Sequence, residues 1–231
     1  RPGLTADDVK FAPPGYDQIA IRSYRLFKQL QLARKIPDGT RFQVSLPTPY
    51  ATLATAFEPQ YVESLLPRFE QVMFREVATI AREIPPQDTA MQWDVAVEII
   101  TALEGLSPPL AAAFPLPKLA ATLARCCDRV PRDVELGVHL CYGNPGGRHI
   151  IEPRDTAGLT AFANQLFAQM HRPLNWIHMP VPIARDDDAY FAPLADLRLP
   201  AATELYLGLV HLQDGVAGAE ESEDHLAPVD L

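Results

Sequence analysis

His139-Leu140-Cys141 places an imidazole and a thiol two residues apart at the end of the apolar run Val134 to Cys141. Side chains at i and i+2 of a β-strand share a face, so both groups can act on one atom. Imidazole nitrogen and thiolate sulfur are ligands that suit Zn²⁺. A hydrogen-bonded strand-end histidine beside a cysteine packed as a small hydrophobe accounts for the same pair without chemistry. Two more histidines occupy comparable places: His178 within Leu174 to Pro180, and His211 directly after Glu204 to Val210. His139, Cys141, His178 and His211 therefore form a candidate metal set drawn from three strand ends, although each histidine alone also reads as a structural residue.

Other groups stand nearby. Asp94 and Glu98 share strand parity with Gln92, and a carboxylate at a strand end can hold an ammonium group or act as a general base. The turn Gly143 to His149 carries Arg148 and has the composition of a lid over an anion, without a phosphate-loop or dinucleotide fingerprint. Arg185 and Tyr190 follow the His178 strand and are candidates to line the same mouth, while the aspartates between them suit a helix N-terminus. Cys126 and Cys127 are adjacent in a helical stretch, where neighbours diverge by about 100°, so they do not share a metal. His149, His171 and His225 read as solvated or capping residues.

The elements that must position these groups alternate. Helical spacing covers Tyr16 to Ala33, the stripe Val62, Leu65, Leu66, Phe69, Val72, Met73, Val77 and Ile80, the proline-interrupted stretch Ser107 to Arg129, Thr156 to Met170, and Asp187 to Leu197. Strand patterns cover Phe42 to Leu46, Met91 to Val97, Val134 to Cys141, Leu174 to Pro180, and Glu204 to Val210. Such alternation implies parallel strands joined by helical crossovers. Asp94, His139, Cys141, His178 and His211 all fall at or near strand C-termini, which converge on the mouth of a (β/α)8 TIM barrel and also line the carboxyl edge of a doubly wound sheet. Five strands are too few for a closed barrel, so the expected fold is an α/β barrel incompletely represented by residues 1–231, one domain with strands or end segments missing.

Composition narrows the partners. The chain has 231 residues, 48% of them hydrophobic, enough for a sizeable core, and a formal net charge of −9. That charge argues against nucleic acid or an anionic membrane as the partner and in favour of a small-molecule substrate or another protein. The 23 prolines fall mostly between periodic segments, where they punctuate a fold. Three cysteines are too few for a disulfide framework, no apolar run has the length of a membrane span, and no signal peptide opens the chain, so a reduced, cytoplasmic protein is expected. Composition does not define the oligomeric state.

His139-Leu140-Cys141-Tyr142 resembles the His-Met-Cys-Tyr zinc motif of the cobalamin-independent methionine synthase catalytic barrel, and Gln92-Trp93-Asp94 is similar to that family's Gln-Ile-Asp strand. The resemblance extends loosely from Phe42 to about Gly215, within the methionine synthase and uroporphyrinogen decarboxylase superfamily. It implies that His139 and Cys141 bind zinc, that zinc activates a thiolate, and that Asp94 contacts the substrate. Where the family has a glutamate and a second cysteine as ligands, this chain has His178 and His211. Neutral imidazoles in place of two anionic ligands make a bound zinc more electrophilic and a bound thiolate less activated. The family's Gly-Pro-Val-Thr strand end and folate-stacking tryptophan are matched only by Leu46-Pro47-Thr48-Pro49, so a folate methyl donor is not carried over.

The expectation from these residues is a metal-dependent methyl or alkyl transferase acting on a small thiol or related nucleophile, with Asp94 catalytic and Asp94, Arg148, Arg185 and Tyr190 holding substrate. The alternatives are a metal-free lyase of the uroporphyrinogen decarboxylase type, in which His139 and Arg148 bind substrate, and a binding protein without catalysis.

Overall fold

The structure, a computed structural model, describes residues 8–103 and 107–211. It is an α/β protein. Five strands, β1 (Phe42–Pro47), β2 (Thr89–Val95), β3 (Glu135–Leu140), β4 (Trp176–Pro180) and β5 (Glu204–Gly208), form one sheet in the order β1-β2-β3-β4-β5, all parallel. Among the described residues eight α-helices accompany it: α1 (Tyr16–Leu32), α2 (Pro49–Ala56), α3 (Pro59–Glu83), α4 (Val97–Leu103), α5 (Pro108–Ala113), α6 (Leu116–Asp128), α7 (Ala157–Gln169) and the single turn α8 (Asp188–Phe191).

Each connection moves one strand along the sheet in the same direction. Crossovers of one hand then place their helices on one face, and the strand order has no reversal among the described residues. The doubly wound alternative requires such a reversal. Burial follows: Val44, Leu46, Met91, Trp93, Val95, Leu136, Val138, Leu140, Ile177 and Met179 are buried on the helical side. On the other face, Gln43 and Ser45 are exposed and Gln92, Asp94, His139, Trp176 and His178 are half-buried. The alternation of period two thus separates a packed face from an accessible polar face.

The α3 stripe forms as its spacing predicts, with all eight residues from Val62 to Ile80 named above buried. Pro67 lies inside this helix, where it forgoes one backbone hydrogen bond, and the long apolar face on either side holds the helix together. Two helices depart from the sequence expectation. Thr48 caps α2 by accepting a hydrogen bond from the Ala51 amide at 3.0 Å, turning the chain immediately after β1. β2 ends at Val95, and Val97 and Glu98 begin α4 instead of extending the strand. No helix among the described residues is long and apolar enough to cross a membrane.

Candidate functional site

Parallel register places Pro47, Asp94, His139, His178 and Tyr206 side by side across all five strands. Because paired residues point to the same face, this row lies on the accessible side of the sheet near the strand C-termini. Ser45, Gln92, Gly137, Trp176 and Glu204 form the next row, two residues toward the N-termini. Cys141 stands two residues beyond His139, with its amide bonded to Val95 O at 3.0 Å, so strand geometry persists to the thiol.

His139 is the centre of the row. Its Nδ1 lies 3.3 Å from Asp94 Oδ1, and the Cys141 thiol, two residues further along, favours the charged ring. Burial opposes a charge on the imidazole. The hydrogen bond to Asp94 and the attraction of Asp94 and Cys141 outweigh it and raise the pKa to about 9. His178 has its ring centroid 4.7 Å from that of His139. Burial and then the neighbouring His139 charge push it down to about 4, against the smaller pull of Asp94. Two like rings thus differ in charge because one is bonded to the carboxylate and the other is not.

Asp94 is itself held. Gln92 Nε2 donates to Asp94 Oδ1 at 2.9 Å, and Trp176 Nε1 donates to Gln92 Oε1 at 3.3 Å, so the indole of β4 reaches across β3 to β2. Only a glycine at position 137 permits this: a Cβ there would lie 1.8 Å from Trp176 Cε2 and 2.1 Å from Nε1. Gly208 plays a similar part for His178, whose Nε2 would be 3.0 Å from a Cβ at that position. Glycine–aromatic pairs across neighbouring strands could have signalled this arrangement, but only once the register is known.

The four candidate ligands do not converge. Among the described residues, no three His, Cys, Asp or Glu side chains are grouped so as to hold a metal ion. His139 and His178 are neighbours and Cys141 lies two residues beyond His139, but His211 Nε2 is 2.7 Å from Val181 O, on the segment after β4. Of the expected set His139, Cys141, His178 and His211, the first three stand on neighbouring strand ends, and His211 meets the backbone after β4.

The other expected residues divide between face and core. Arg148 is exposed on the loop after β3, and no hydrogen bond or ion pair among the described residues ties it to His139. Arg185 is committed to Asp187, with Nε 2.9 Å from Oδ2, and its guanidinium lies 4.9 Å from the Tyr190 ring centroid. Tyr190 is fully buried, its hydroxyl 3.0 Å from that of Tyr142 and 3.3 Å from Pro180 O. It is part of the core, because a tyrosine ring there fills space while its hydroxyl is satisfied.

Glu98 is fully buried, receives a short hydrogen bond from the Thr48 hydroxyl at Oε1, and has no partner at Oε2 among the described residues. Burial raises its carboxyl to about 7, against the Thr48 bond. Cys126 and Cys127 are buried with their thiols pushed up by burial, which makes them inert. His149 packs edge-on to Tyr142 at 5.5 Å and His171 pairs with Asp128 at 2.7 Å, while His225 lies outside the described residues.

Fold and site together define an α/β protein with a singly wound parallel sheet and a titratable cluster at its strand ends. No family model matches the chain, and no curated protein or solved structure matches it.

Proposed function

We propose that this chain is an enzyme performing general acid–base chemistry on a small anionic molecule at the Asp94, His139 and His178 row, as a lyase or decarboxylase that needs no metal. The observation that carries this reading is the paired imidazoles 4.7 Å apart, with a carboxylate bonded to only one of them. The pair holds one proton between pH about 4 and about 9. His139 is then the acid and His178 the base, the pattern expected when two like groups are driven apart. A proton given by His139 removes the charge that disfavours His178, so the second transfer becomes easier as the first proceeds. Positioned groups of this kind contribute about two to four powers of ten in rate.

The test is turnover of a panel of small carboxylates by metal-depleted protein, followed by proton NMR and carbon dioxide release. His139→Gln and His178→Gln should each lower the rate about a hundredfold or more. Undiminished turnover in His139→Gln sinks the proposal.

The placement of Cys141 two residues beyond His139, with strand geometry reaching its amide, favours a second reading, methyl or alkyl transfer to a small thiol or related nucleophile. In the resemblance, zinc supplies the activation of that thiol. Because the described donors are not gathered into a set of three, the step is left to the chain's own groups: Asp94 orients His139, which stands two residues before the thiol. Elemental analysis after zinc reconstitution decides: about one zinc per chain, lost in Cys141→Ser, supports the transferase, and none removes its metal. In both readings the sequential strand order supports an arc of a (β/α)8 barrel.

A further inference from the structure

We infer that the substrate of this face is a planar, conjugated anion, stacked on the indole of Trp176 with its carboxylate turned to His139. The inference rests on the acid–base reading and names its substrate class.

Trp176 is half-buried on the accessible face, with its ring over the Gly137 backbone. Gly137 has no positive φ that would require glycine, so its missing side chain serves to admit the ring. The Nε1 bond to Gln92 fixes how the indole lies. These two contacts hold the ring over the sheet on its accessible side, where the half-buried indole is a conjugated surface that needs no further ordering.

The cation is at the right distance. Trp176 and His139 belong to adjacent rows of the register, separated along the strands by two residues or about 6.6 Å. That is roughly the reach of one fused ring carrying a carboxylate. Within the pair His139 is the ring bonded to Asp94, at 3.3 Å, and Tyr206, 49% exposed, is the register neighbour of His178. Stacking favours planarity and the imidazolium favours the anion, so the two requirements select one ligand class.

The probes are 2-naphthoate, its uncharged analogue 2-naphthylmethanol, and the non-planar cyclohexanecarboxylate. In the unmodified protein, 2-naphthoate should shift the Trp176 indole N–H resonance by ring current and cyclohexanecarboxylate should not. Trp176→Leu should weaken 2-naphthoate about tenfold and spare cyclohexanecarboxylate, as loss of a stacking partner does. His139→Gln should weaken both carboxylates and spare 2-naphthylmethanol. If Trp176→Leu does not fold, the resonance shift in the unmodified protein decides. No shift at millimolar 2-naphthoate, or equal binding of the planar and non-planar acids, overturns the planar assignment while an effect of His139→Gln leaves the acid–base row standing. A shift with carboxylate binding unaffected by His139→Gln overturns the anion orientation and the row together.

Discussion

The indole of Trp176 stands where a side chain at Gly137 would be, and through this overlap a tryptophan on β4 reaches Gln92 on β2. The orientation of Asp94, and through it His139, is thereby linked to a residue that carries no side chain.

Gly137→Ala should expel the indole or distort β3, since the new methyl carbon would lie 1.8 Å from Cε2. We expect a loss of about 1–3 kcal/mol, as in other overpacked sites. Denaturant unfolding measures the loss, and the Trp176 indole resonance reports the displacement.

Asp94→Asn should lower the His139 pKa from about 9 toward the ordinary histidine value, because it removes the carboxylate that favours the imidazolium. His178 should not rise with it, since His139 is still charged at the pH where His178 titrates and His178 also loses the pull of Asp94. Histidine resonances followed against pH check both directions, and a His139 titration that stays near 9 in Asp94→Asn shows that the carboxylate does not set it.

Glu98 makes stability depend on pH. Its carboxyl is raised from 4.5 to about 7, so the folded state binds this proton more tightly than the unfolded state. The contribution is complete below about pH 4.5 and is lost as pH rises through about 7. At about 1.4 kcal/mol per unit, it amounts to a few kcal/mol. Glu98→Gln should flatten the dependence across that window, measured by denaturant unfolding at several pH values.

Tyr190→Phe deletes a buried hydroxyl that meets Tyr142 and Pro180 O. A cost of about 1–3 kcal/mol is expected, with the histidine titrations unchanged. A shift in the His139 titration would instead connect Tyr190 to the site.

The row itself was legible because a parallel strand repeats with period two. Asp94, His139 and His178 needed only the correct parity at three strand ends to come together. Glu98 shares the parity of Asp94, but the chain turns into α4 at Val97, and parity has no meaning beyond a strand's end. Tyr190 follows the His178 strand closely, yet its ring enters the core, because proximity along the chain does not set the direction of a side chain.

The amino-acid sequence by itself determined that this is an alternating α/β chain with titratable groups at its strand ends, since periodicity and punctuation are local properties. Tertiary structure decided the rest: the sequential order of the strands, the turning of His211 to Val181 O, and the single carboxylate that makes His139 and His178 unlike. Those outcomes depend on which backbone lies beside which, and on the small free-energy differences between one hydrogen-bond partner and another. Local spacing carries neither.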